Sequence, residues 1–437
     1  MPKFFKAPTG TFDILPADHD YLTFFKKVVR HRFRQAGFRR ITTPFFEESE
    51  AFERSLGTSS SIFTRELYSF KDRQGREYTL RPEVTTGVVR SFIEHKMYTG
   101  PLPAELYYIE PCFRFERPNS RTRRQFWQVG CEILGESDPA IDAQIIYLGH
   151  RILEDLKIRK FCDLKINTFG DPEDRKRYFN ALENFYQEKE RSLSPSMREK
   201  LKQKRYFDLL TPTTEDEEIL VEMAPKMIDH LSKESRDFFD ETLVYLNSFG
   251  IEYTIDPALV RPVEYYCHTV FEFREKNSKN KVLVGGRYDG LLKKMGAEKV
   301  YGGAGFAAGV DRVTALMKSH KIEVPHKDFR QIFLAATGSV AKKQALPLLV
   351  KLREHGFHAV GVLGKTSIQD QVIRAEKFKV PYMLLMGDLE VQKNQVIIRN
   401  MKNRKQEVID RDIVIEKMTE LLGNPPLDST EDFLGHE

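Results

Sequence analysis

Apolar positions recur at helical spacing over residues 21–36, YLTFFKKVVRHRFRQA, where Leu22, Phe25, Val29 and Phe33 share one face and Lys26, Lys27, Arg30 and Arg34 fall elsewhere. Gly37 supplies the stop, because a residue without Cβ takes the left-handed conformation that ends a helix. An extended run, FRRITTPFF, follows. Alternation with turn signals then predicts two strands around Arg73-Gln74-Gly75, and two more, ELYYIEPCFRFE and QFWQVGCEILG, on either side of a basic loop. A helix followed by a mostly antiparallel sheet is the pattern of an α+β domain. From about residue 171 to 248 the texture turns charged and helical, which predicts a helical insertion. Strands return at VFEFREKNSKNKVLVGG, a hairpin turning near Asn277-Ser278, and GGAGFAAGVDRVTALM leads from strand to helix. Beyond the Pro325-His326-Lys327 linker, QIFLAA, a helix over 339–355, AVGVL, a helix over 367–379 and YMLLMG alternate β and α. That alternation predicts a separate parallel α/β domain. The expected boundaries are 1–328, 329–422 and a tail over 423–437.

Length changes this picture little: 437 residues suffice for two or three domains, since single cores rarely exceed ~250–300 residues. With 41% hydrophobic and 30% charged residues and no low-complexity block, disorder is not the expected state. The net charge of +5 permits nucleic-acid binding without arguing for it. Cys112, Cys131, Cys162 and Cys267 show neither C-x-x-C pairing nor metal-ligand spacing, which fits reduced thiols in a cytoplasmic protein. The start, MPKFFKAPTGTFDILPAD, lacks the apolar run of a signal peptide, and no stretch approaches the ~18 apolar residues of a membrane span. A soluble protein with no membrane partner is expected.

Candidate chemistry concentrates in FRFERPNSRTRRQFWQVGCE, residues 113–132. On a strand, Arg114 and Glu116 share a face, as do Phe126, Gln128, Gly130 and Glu132 on the returning strand. Gly130 leaves a gap in that polar row, which suits a ligand floor; a solvated, salt-bridged sheet face fits the pattern equally. In TLRPEVTTG, Thr85 or Thr86 caps the following helix, or Glu83 and Thr85 face a ligand. LVRPVEYYCHTVFEF places an Arg before two tyrosines, and VGGRYDGL is a Gly-dense turn around Arg287 and Asp289. YGGAGFAAGVDR nominally satisfies G-x-G-x-x-A, but no βαβ pattern surrounds it. AVGVLGKTS fails as a P-loop, because Ala359 stands where the first Gly is needed. H-E-x-x-H, G-x-S-x-G and kinase signatures are absent, so positioning and charge are expected to carry the chemistry.

Taken in order, FRFERP…RRQFWQVGCE, LVRPVEYYCHTVFEF, GGRYDGL and GFAAGVDR resemble the signature set of the bacterial histidyl-tRNA synthetases. The first and last resemble motifs 2 and 3 of class II aminoacyl-tRNA synthetases, and the helix at 21–36 with RRITTPFF resembles motif 1, which implies a homodimer. Residues 329–422 resemble the family's anticodon-binding domain, notably in GKTSIQDQVIRAEKFKVPYMLLMGDLE. The resemblance implies a class II catalytic domain over 1–328 and ligation of histidine to its tRNA through a histidyl-adenylate, with ATP and Mg²⁺. By the same resemblance Arg114 holds the α-phosphate, Glu116 meets the adenine amino group, Phe126 and Arg312 sandwich the adenine, and Arg261 is the catalytic cation. Glu83, Thr85 and Gln128 take the substrate's α-amino group; Glu132 and Tyr266 take its imidazole, with Tyr265 in the same site. Arg117, Asn119, Arg121, Arg123 and Arg124 meet the tRNA acceptor stem, while metal ligands are left unassigned. The chain departs from the family at Pro262 and Glu264, where Gly and Asp are usual, at Val84, where Gly is usual, and at Trp127, where His is common. A non-catalytic regulator built on a synthetase-like chain, or a synthetase for another amino acid, are the competing readings.

Overall fold

Leu22, Phe25, Val29 and Phe33 are all buried on the helix Pro16–Gln35, which starts on a proline and is followed by Gly37 at φ 88°. Burying each such side chain contributes roughly 1.5–3 kcal/mol. Phe33 anchors the contact by stacking on Tyr107 at 4.9 Å and on Phe306 at 6.0 Å. The structure, a computed structural model, describes residues 5–57, 66–116, 123–260, 265–325, 330–361 and 367–424. The chain divides into two units, Met1–Pro325 and His326–Glu437.

The strands of the first unit are β1 (Arg39–Arg40), β2 (Phe46–Glu48), β3 (Tyr68–Lys71), β4 (Glu77–Leu80), β5 (Ala104–Phe113), β6 (Gln125–Leu134), β7 (Cys162–Thr168), β8 (Thr254–Ile255), β9 (Cys267–Glu275), β10 (Lys281–Arg287) and β11 (Gly303–Gly309). Eight form one sheet in the order β1-β5-β6-β11-β10-β9-β7-β8, and β2-β4-β3 form a small one. The main sheet is mixed, which corrects the expectation of a mostly antiparallel one. Its inner pairings are antiparallel, but β1 lies parallel to β5 and β8 parallel to β7 at the edges. A two-residue edge strand carries no readable alternation, and each parallel pair needs a long crossover, here residues 41–103 and 169–253.

Alternation along β6 sorts the two faces. Val129, Cys131 and Ile133 join Phe271, Phe273 and Phe306 in a core with the helices Pro16–Gln35, Pro139–Asp155 and Val310–Ser319. Gln128, Gly130 and Glu132 point the other way, toward a second core of Phe52, Val88, Phe92, Tyr108, Val270 and Tyr288. Between β7 and β8 the helices Pro172–Glu188, Pro195–Lys202 and Glu215–Met223 surround their own cluster of Tyr178, Leu182, Tyr186, Met197 and Met227, while the helix Lys233–Ser248 packs Phe239 and Leu246 into the main-sheet core.

The second unit holds β12 (Ile332–Ala336), β13 (Ala359–Gly361), β14 (Tyr382–Met386), β15 (Gln395–Asn400) and β16 (Gln406–Asp410) in the order β13-β12-β14-β15-β16. It is α/β but only half parallel: β12 pairs parallel with β13 and β14, and a hairpin β15-β16 continues the sheet antiparallel. Among the described residues, no helix is long and apolar enough to cross a membrane. All four cysteines are buried free thiols; burial pushes Cys112, Cys162 and Cys267 up to about 12, and Cys131 upward also.

Two fully buried arginines tie the first unit together. Arg81 donates to the carbonyls of Thr43, Pro44 and Pro111 and to Glu110 at 3.0 Å. Arg287 donates twice to Asp142, at 2.9 and 2.6 Å, once to Asp289 at 2.9 Å and once to the carbonyl of Asp138 at 2.9 Å. Burial works against the Arg287 charge, but Asp142 and Asp289 outweigh it and raise its pKa; burial raises the Asp142 pKa, and Arg287 pulls it back down. Arg287→Ala leaves Asp142 buried and unpaired, and is expected to lower stability by about 3–5 kcal/mol. Urea unfolding checks this as a lower midpoint at unchanged slope.

Candidate active site

The register of the main sheet builds the floor. Glu132 on β6 lies opposite Gly305 on β11 and Leu106 on β5; Gly130 lies opposite Ala307 and Tyr108. A Cβ at Gly305 would stand 1.9 Å from Glu132 Oε2, and one at Gly130 would stand 2.3 Å from Tyr108 Oη. Only glycine lets these side chains lie flat across the neighbouring strand. The gap expected at Gly130 is therefore taken by the Tyr108 hydroxyl from β5.

Glu132 is 1% exposed and is met by three hydroxyls. Thr85 Oγ1 donates to Oε1 at 2.7 Å, Tyr108 Oη donates to Oε1 at 3.3 Å, and Tyr288 Oη donates to Oε2. Burial pushes the carboxyl up to about 8 and the nearby Glu83 adds to it, while the hydroxyls pull the other way. Glu132 is thus mostly protonated at neutral pH. Burial, then Glu132, also keeps the Tyr108 and Tyr288 phenols protonated well above their ordinary range. Tyr108 and Tyr288 were not among the predicted site residues. The available signals were Tyr288 two positions past Gly286 in VGGRYDGL, and Tyr108 facing Gly130 once the hairpin is paired.

Glu83, not Thr85 or Thr86, caps the helix Thr85–Glu94. Its Oε2 accepts from Thr85 N at 2.7 Å and its Oε1 from Thr86 N at 2.9 Å, because a carboxylate answers orphan amides and the helix dipole together. Thr85 Oγ1 is left to reach Glu132. Gln128 Oε1 accepts from Val84 N at 3.1 Å, joining the helix start to β6. The predicted residues Glu83, Thr85, Arg114, Gln128, Glu132, Tyr265 and Tyr266 line one recess of about 70 Å³, with Tyr288. This is room for a small ring, since a single water needs ≳ 10–15 Å³. Tyr265 packs on Tyr266 at 4.7 Å and edge-on to Tyr288 at 5.6 Å.

Cations gather beside the recess. Arg114, just past the end of β5, donates from Nε to the Pro82 carbonyl at 2.9 Å, pairs with Glu116 at 3.7 Å and lies over the Phe126 ring at 5.3 Å. The guanidinium resting on Phe126 is thus Arg114's. Desolvation lowers the Arg312 pKa; Glu116 opposes that and Arg114 adds to it, so the two guanidiniums are near enough to feel each other. Glu66 stands by the same pair: burial raises its pKa, Arg114 lowers it and Glu116 raises it. At the foot of the basic loop Arg123 donates to Asp311 at 2.6 Å, and Arg124 lies over Phe115 at 4.2 Å. Arg117, Asn119 and Arg121, and Arg261 with Pro262 and Glu264, lie outside the described residues.

Comparison with known proteins follows the same division. A family model described as histidyl-tRNA synthetase matches residues 10–313, and one described as anticodon binding domain matches residues 331–421. The histidine–tRNA ligase of Halothermothrix orenii is 36% identical over 420 residues, covering 95% of this chain and 99% of that protein. That of Bacillus subtilis is 34% identical over 419 residues, covering 95% and 98%. The crystal structure of apo S. aureus histidyl-tRNA synthetase superposes with a TM-score of 0.77 at 31% identity, covering 95% of this chain and 99% of that one.

The buried carboxyl makes stability depend on pH with a definite sign. Between its ordinary pKa of 4.5 and its folded value of about 8, Glu132 holds its proton in the folded chain and releases it in the unfolded one. The folded state then binds more protons, and its stability falls as pH rises across that window, by about 1.4 kcal/mol per unit from this group. Glu132→Gln is expected to remove that part of the slope in unfolding measurements from pH 5 to pH 8.

Proposed function

The chain belongs to the histidyl-tRNA synthetase family, and from that premise we propose how its residues divide the work. The protein is a histidine–tRNA ligase: it activates histidine with ATP to histidyl-adenylate and pyrophosphate, then transfers histidine to the 3′ end of its tRNA. The observation that carries the assignment of roles is a buried Glu132, met by three hydroxyls, in a small recess that is also lined by Arg114, which lies over Phe126.

Histidine binds with its ring in the recess. A neutral imidazole has one donor and one acceptor nitrogen, and a protonated Glu132 with the Tyr266 phenol can meet both. An apolar analogue would leave these groups unpaired, which is how polar substrates are discriminated strongly. Glu83, Thr85 and Gln128 line the same recess with acceptor oxygens: those of Glu83 and Gln128 receive the helix amides, and the Thr85 hydroxyl, which donates to Glu132, keeps its lone pairs for an incoming donor. An ammonium, which only donates, suits that set. Tyr265 shapes the wall.

ATP lies across Arg114, Glu116, Phe126 and Arg312. The histidine carboxylate attacks the α-phosphorus, the bond to the bridging oxygen breaks, and pyrophosphate leaves with its charge. That transition state needs alignment and cations more than a nucleophilic side chain, and Arg114, Arg312 and the carried-over Arg261 supply them. Among the described residues no three His, Cys, Asp or Glu side chains stand together as a metal cage. Mg²⁺ does not require one, since one or two carboxylates and the phosphates usually hold it, and Glu66 beside Glu116 fits that need. When bound, the ion neutralises phosphate charge.

The loop carrying Arg117, Asn119 and Arg121 meets the acceptor stem, while Arg123 and Arg124, engaged with Asp311 and Phe115, fix its foot. Residues 171–248 act as an insertion in the catalytic domain, and the second unit binds the anticodon region. A homodimer joins through the helix Pro16–Gln35 and the following extended run, where Phe45 and Phe46 are 50% and 46% exposed and need cover. The enzyme works in the cytoplasm.

Exchange of labelled pyrophosphate into ATP tests this reading. The protein is expected to support it with histidine and to discriminate against apolar amino acids by about 10⁴-fold or more. Arg261→Ala is expected to lower the rate by roughly 10²–10³-fold. A folded protein that shows no histidine-dependent exchange would sink the assignment.

A further inference from the structure

The tyrosines of the recess sit on a segment that the main sheet alone does not hold. Tyr265 and Tyr266 precede β9, and residues 261–264 before them lie outside the described part of the chain. Behind them, Cys267 Sγ accepts from Asp289 N at 3.3 Å, and sulfur is a weak acceptor. His268 stands at φ 44°, left-handed backbone that a non-glycine residue adopts only when its surroundings impose it. Those surroundings are the root of the helical segment: His268 N donates to the Gly170 carbonyl at 2.8 Å, and Phe169 N donates to the His268 carbonyl at 2.7 Å.

One side chain reaches from that root to the tyrosines. Arg175, in the first turn of the helix Pro172–Glu188, donates from Nη1 to the Tyr266 carbonyl at 2.8 Å. Its helix is well anchored. Asp171 accepts from Asp174 N at 2.7 Å, and Asp174 in turn accepts from Asp171 N at 3.0 Å and from Ser232 N at 2.7 Å, the N-cap of the helix Lys233–Ser248. Asp174 is fully buried. The guanidinium therefore projects from a fixed base, and the carbonyl it holds belongs to a residue whose ring faces the Glu132 recess.

We infer that Arg175 is a positioning residue for histidine, setting the Tyr266 backbone so that the Tyr265 and Tyr266 rings close the imidazole recess. The helical segment thereby shares in amino-acid binding without touching the substrate. The inference rests on the reading of Tyr266 as part of the histidine pocket.

A charge-assisted bond to a carbonyl, lost without replacement, weakens what depends on it by roughly 10- to 100-fold. Arg175→Ala is expected to raise the KM for histidine in pyrophosphate exchange by about tenfold or more, with the KM for ATP within about twofold of the parent. A purely structural role would move both constants together or only the active fraction, and that result would overturn the inference. Arg175→Lys keeps a cation with a single-point donor and is expected to give an intermediate rise at the parent's unfolding midpoint, even where the alanine variant folds poorly. An unchanged histidine KM in the folded lysine variant would also overturn it. Tyr266→Phe, measured alongside, separates the two ideas. If it raises the histidine KM and Arg175→Lys does not, the coupling fails while the pocket stands; if it changes nothing, the pocket assignment has failed and the inference goes with it.

Discussion

A carboxyl kept from water is the constraint around which the active face is arranged. Glu132 is held by Thr85, Tyr108 and Tyr288, which come from a helix start and two other parts of the sheet. Three donors would ordinarily favour the anion, yet burial and the adjacent Glu83 dominate. Such a group requires its neighbours to be in place, because a buried polar atom left without a partner costs about as much as a lost hydrogen bond or more. The glycines opposite Glu132 and Tyr108 and the capping role of Glu83 follow from that requirement. Recognition of a small polar ring and folding of the site are thus one problem.

Charge is handled in two different ways within the first unit. Arg81 and Arg287 are buried, each bound to a carboxylate and to backbone carbonyls, and serve the scaffold. Arg114 and Arg312 share a weak Glu116 partner and keep capacity for an anion. The same side chain is a girder where carboxylates surround it and a ligand group where they are scarce. Residue type alone does not separate these roles: Arg287 sits in a signature motif and is structural.

Much of the floor was legible in the sequence because a period of two is local. Gln128, Gly130 and Glu132 do share a face, and the four apolar positions of the first helix are its buried ones. Cross-strand facts were not legible. Tyr108 meets Glu132 only through the pairing of β5 with β6, and Tyr288 only through β10 beside β11. The parallel edges escaped notice because two residues have no period, and the hairpin β15-β16 because its register is set by the sheet it extends. Thr85 looked like a cap; Glu83 took that place, since an ionised acceptor serves two amides where a hydroxyl serves one.

The parallel pairing of β7 with β8 sets Lys165 opposite Thr254 and Ile166 opposite Ile255, so the chain leaves the sheet after Thr168 and re-enters on the neighbouring position of the same edge. The closure entropy of what lies between grows only with the logarithm of its length. Since the helices over 172–223 carry their own apolar cluster, that part of the stretch is free to lengthen, shrink or be exchanged over generations at little thermodynamic penalty, whereas Phe239 and Leu246 of the last helix belong to the main core. Its first turn, hydrogen-bonded to the tyrosine segment, is the part such tinkering has to spare.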